Sequence, residues 1–143
     1  MANVQALVRT LAEIEDDPGR LCAILSEAVG RTAGGRYVTF AYVQLDPVSG
    51  TVRYSLGGHH PPILVGSRAV RFLDRGGLPL GMFPDARFES GEDRLEPGES
   101  LIIYTDGLVE APAEGAPRDL WLLAYPRGYW ESITDSSRRS GVD

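Results

Sequence analysis

The chain has 143 residues, 43% of them hydrophobic and 24% charged, with a formal net charge of −6. That is the size and composition of one folded domain. No apolar run reaches the ~18 residues of a membrane span, and an acidic chain is poorly suited to nucleic-acid binding, which rests on basic residues displacing counterions. All fourteen basic residues are arginine, which excludes chemistry that needs a lysine, a Walker-type phosphate loop or a Schiff base among it.

The first thirty residues predict two helices. Val4, Leu7, Val8, Leu11 and Ile14 recur at three- and four-residue steps and share one helical face. Asp16-Asp17-Pro18 stops that helix and opens another, with an aspartate cap before a proline at the first helical position. Leu21, Ile24, Leu25, Ala28 and Val29 form the second apolar face, which leaves Cys22 off the stripe. Gly30, Gly34 and Gly35 end that helix. A single cysteine makes no internal disulfide, and Met1-Ala2-Asn3-Val4-Gln5 carries neither a basic region nor an apolar run. A cytoplasmic setting without a secretory signal is the expectation.

From Tyr37 the period changes. Tyr37 to Leu45 is rich in β-branched and aromatic residues and predicts a strand. Asp46-Pro47-Val48-Ser49-Gly50 is a turn, and Thr51 to Leu56 returns as the second strand of a hairpin. Ile63 to Val65 and Ala69 to Leu73 predict a second hairpin around Gly66-Ser67-Arg68. Asp74 to Ala86 reads as a long loop, Arg87 to Leu95 as a strand, and Ser100 to Tyr104 as a short apolar strand ended by Thr105-Asp106-Gly107. Helices followed by strands predict an α+β domain with a largely antiparallel sheet. From Pro112 onward no period continues, although this tail holds both tryptophans, Trp121 and Trp130.

Asp106 is the most informative carboxylate. It follows an apolar strand and precedes Gly107, an arrangement that presents a ligand to a metal or phosphate, or that is only a turn after a strand. His59 and His60 are the chain's two histidines. Adjacent side chains on extended backbone point opposite ways, so they do not chelate one ion together. There is no Cys/His cluster for zinc, no G-x-S-x-G nucleophile elbow and no G-x-G-x-x-G after a strand. The acidic runs Glu13 to Asp17 and Glu89 to Asp93 read as solvated surface.

Tyr104-Thr105-Asp106-Gly107-Leu108-Val109-Glu110-Ala111 resembles the strand-end motif of the SpoIIE branch of PPM-type protein serine/threonine phosphatases. Phe40 to Tyr54 resembles the family hairpin, with Leu45-Asp46-Pro47 and Gly50 at its turn. Gly58-His59-His60-Pro61-Pro62-Ile63-Leu64 resembles the family's GHxPP segment. Gly77-Leu78-Pro79-Leu80-Gly81, with Leu95 and Pro97-Gly98, resembles the approach to the catalytic strand. The resemblance covers about Val4 to Ala111 and implies a partial phosphatase domain over 1–111, followed by a divergent tail over 112–143. It implies a partial αββα sandwich, with two Mn²⁺ or Mg²⁺ ions held between the sheets in the intact family. It implies hydrolysis of phosphoserine or phosphothreonine on a bacterial regulatory protein, such as an anti-sigma-factor antagonist. Asp106 and Gly107 match the family's metal-binding motif; Thr105, Glu110, Gly58 and His59 match motif positions around it, and no residue is assigned a catalytic role.

The family's earlier aspartate motifs have no counterpart in this sequence. Its late D-D-x-T strand is also missing, and Ile133-Thr134-Asp135 has the wrong order to replace it. One aspartate does not hold two divalent ions, which need several oxygen ligands. The expectation is a chain with weak activity or none, whose tail resembles a truncated or frameshifted reading; the alternative is a remnant that binds its partner without turning it over.

Overall fold

The computed structural model describes residues 2–32 and 34–105. Two helices open it, α1 (Ala2–Ile14) and α2 (Pro18–Thr32). Asp17 caps α2, its carboxylate accepting the Arg20 N–H at 3.0 Å. Ser90 Oγ takes the Gly19 N–H at 2.8 Å and donates to Asp17, which ties the start of α2 to a distant part of the chain. Val4, Leu7, Val8 and Leu11 pack toward α2 as their spacing predicts, whereas Ile14 lies 75% exposed at the end of α1.

The buried face of α2 is rotated from the predicted stripe. Leu21, Cys22, Leu25, Ser26 and Val29 are buried, and Ile24 is 39% exposed. The reason lies in the sheet below. Ser26 Oγ accepts the Gly81 N–H at 3.0 Å, and the Cys22 thiol points at the Ser55 carbonyl. Small side chains at 22 and 26 let the helix approach the strands closely.

Strands β1 (Phe40–Leu45) and β2 (Thr51–Gly57) form the predicted antiparallel hairpin, in register from Phe40↔Gly57 to Leu45↔Val52. Its turn carries Gly50 at φ 76°, a left-handed conformation that an L side chain rarely adopts. β3 (Ile63–Val65) and β4 (Val70–Phe72) form the second hairpin, closed by the Gly66 N–H on the Ala69 carbonyl at 2.9 Å. The loop predicted over 74–86 contains β5 (Gly76–Gly77), which pairs parallel to β2 at Leu56 and Gly57. Two glycines carry no side-chain period, so nothing in the sequence marks them as a strand. β6 (Gly91–Arg94) is shorter than predicted and pairs antiparallel with β2 over Thr51–Tyr54; β7 (Ser100–Ile102) pairs antiparallel with β3.

The strands make two sheets. In the first, β2 lies between β1 and the successive pair β6 and β5. In the second, β3 lies between β4 and β7. Leu11, Leu21, Cys22, Leu25, Val29 and Leu80 form a core between the helices and the first sheet, with Phe40 and Tyr42 against it. Val52, Tyr54, Leu56, Leu64 and Leu73 form a second core between the sheets, with Ala41, Val43 and Leu101 packed on it. The alternation along β1 therefore serves both layers. The result is the predicted α+β class: two N-terminal helices, then two stacked sheets whose strands are antiparallel apart from the β2–β5 pair. No helix among the described residues is long and apolar enough to cross a membrane.

Candidate functional site

The segment that leaves β2 is Gly58-His59-His60-Pro61-Pro62. Gly58 has φ 64°, and a Cβ there would run into the Pro79 ring. Its N–H donates to the Gly77 carbonyl at 2.8 Å. Glycine is thus required twice over, by conformation and by the close approach of the Leu78-Pro79-Leu80 segment. Pro61 and Pro62 are buried and fix the backbone on its way into β3. The Pro62 carbonyl accepts the Leu73 N–H at 2.8 Å.

β7 runs antiparallel to β3, with Ile102 opposite Ile63. Continued by two residues, that register carries Tyr104 alongside the Pro61-Pro62 segment. The His60 and Tyr104 rings stack there, centroids 5.6 Å apart and planes at 23°. The His59 ring lies edge-on to that of His60, centroids 6.2 Å apart and planes at 77°, with Nδ1 2.8 Å from the His60 carbonyl oxygen. Tyr104 is buried, burial pushes its phenol pKa up, and its hydroxyl has no hydrogen-bond partner among the described residues.

The structure thus brings together two motifs that are 44 residues apart in sequence, counted from His60 to Tyr104. Gly58 and His59 lie at one side, and Thr105, exposed, follows Tyr104 at the other. Asp106, Gly107 and Glu110 lie outside the described residues. The contact between His60 and Tyr104 is the part that sequence reasoning missed; its signal was an aromatic residue closing an apolar strand just before the aspartate.

Among the described residues no group of three or more His, Cys, Asp and Glu side chains is placed to hold an ion. The acidic run 89–93 is not purely solvated surface: Asp93 lies 3.3 Å from Arg71, and Glu89 pairs with Arg75 at 3.1 Å. These carboxylates are engaged by arginines on neighbouring segments. The described residues therefore do not by themselves fit a two-ion centre.

This layered arrangement defines a phosphatase-domain fold. It superimposes on the phosphatase domain of the cell fate determinant SpoIIE from Bacillus subtilis (Mn presoaked) with a TM-score of 0.54 at 20% identity, over 96% of this chain and 65% of that one. It superimposes on the RsbU and RsbW domains of Rv1364c from Mycobacterium tuberculosis with a TM-score of 0.69 at 26% identity, over 86% of this chain and 35% of that one. The family described as Stage II sporulation protein E (SpoIIE) matches residues 1–134, and the chain belongs to that family. Similar curated proteins include Protein IcfG from Synechocystis, 32% identical over 76 residues, covering 52% of this chain and 12% of that protein. Phosphoserine phosphatase RsbU from Bacillus subtilis is 22% identical over 117 residues, covering 80% of this chain and 35% of that protein. The chain spans only about an eighth to a third of the length of these two relatives.

Proposed function

We propose that the chain carries part of a metal-dependent phosphoserine/phosphothreonine phosphatase site, built where the Gly58-to-Pro62 segment meets the strand that ends at Tyr104-Thr105. The observation that supports the reading is the His60–Tyr104 stack, which sets the GHHPP segment beside the strand that ends at Tyr104-Thr105, in a chain of this family. The substrate class is a phosphorylated bacterial regulatory protein, an anti-sigma-factor antagonist by resemblance, and the setting is cytoplasmic. Mn²⁺ or Mg²⁺ supplies, when bound to such sites, an activated water and a clamp on phosphate oxygens. Asp106 and Gly107 are the positions of this sequence that match the metal-binding motif, with Thr105, Glu110, Gly58 and His59 around them.

One matching aspartate supports weak turnover or none by these 143 residues alone, because divalent ions of this type need several oxygen ligands. The same observation favours a second reading, a module that binds its phosphorylated partner without hydrolysing it. The experiment is Mn²⁺-dependent hydrolysis of p-nitrophenyl phosphate by the purified chain beside Asp106→Asn. Little or no turnover in either, from folded protein, is the expected result. Metal-dependent turnover abolished by Asp106→Asn would show a complete site and overturn the expectation of weak activity. Retention of a phosphorylated antagonist on the immobilised chain without phosphate release separates the binding module from a chain with neither role.

A further inference from the structure

We draw no further inference here: the strongest candidate, the stacked side-chain pair of His60, on the segment that leaves β2, and Tyr104, just beyond β7, belongs to the site already described.

Discussion

Arg71 and Glu99 face each other fork to fork, Nη1 to Oε1 at 2.9 Å and Nη2 to Oε2 at 3.0 Å. Arg71 sits in the middle of β4, and Glu99 closes the turn that leads into β7. The same guanidinium reaches Asp93 at 3.3 Å and the Arg94 carbonyl at 2.7 Å on β6. One side chain of the second sheet thereby holds the end of the first. A bidentate pair has more directional content than a loose surface ion pair.

The pair makes stability depend on pH. The Arg71 hydrogen bond, helped by the Glu96 N–H, holds the Glu99 carboxyl below its ordinary 4.5. A depressed folded-state pKa gives a contribution that is complete above the unfolded value and is lost as pH falls through the folded one. Urea unfolding from neutral to acid pH should show that loss, and Glu99→Gln should flatten the acid limb. A variant whose acid limb matches the native chain would show that Glu99 contributes nothing there.

Gly58→Ala should destabilise by about 2–5 kcal/mol, the sum of a left-handed backbone cost of ~1–2 and an overpacking cost of ~1–3 against the Pro79 ring. Denaturant unfolding measures it. A change below about 1 kcal/mol would mean that the Pro79 segment yields freely.

Tyr104→Phe keeps the ring on His60 and deletes a buried hydroxyl with no partner among the described residues. The unfolding free energy should stay level or rise by up to ~1 kcal/mol, because an unpaired buried polar group is a cost. A clear fall would reveal a partner for the hydroxyl.

The rotated face of α2 predicts an inequality. Leu25→Ala, at a fully buried position, should cost ~2–5 kcal/mol, and Ile24→Ala, at a partly exposed one, under ~1 kcal/mol. Equal losses at the two positions would restore the stripe that the sequence suggests.

The sequence shows the hairpin of β1 and β2 plainly, since alternation flanks a turn of Asp46, Pro47 and Gly50. It also shows the Asp17 cap. It misplaces Cys22 and Ile24, because apolar spacing alone does not reveal that small residues at 22 and 26 permit a closer approach than isoleucine at 24. It hides β5, whose glycines owe their strand geometry to the edge of β2. At the candidate site, Gly58, His59 and Thr105 are found from local motifs. The His60–Tyr104 contact depends on how β3 and β7 align, a tertiary fact that no local pattern carries. Arg71 stands alone among apolar neighbours in β4, a signal that was there to be read.

The stretch between Leu73 and Leu80 has one end in each core: Leu73 is buried between the sheets and Leu80 under the helices, with β5 hydrogen-bonded to β2 between them. It acts as a stitch through the layers. Lifting the helices away would pull on Leu80, then on β5, and so on the strand that the inter-sheet core rests upon. The two cores are therefore mechanically one, and the molecule should melt in a single cooperative step rather than shed its helical layer first.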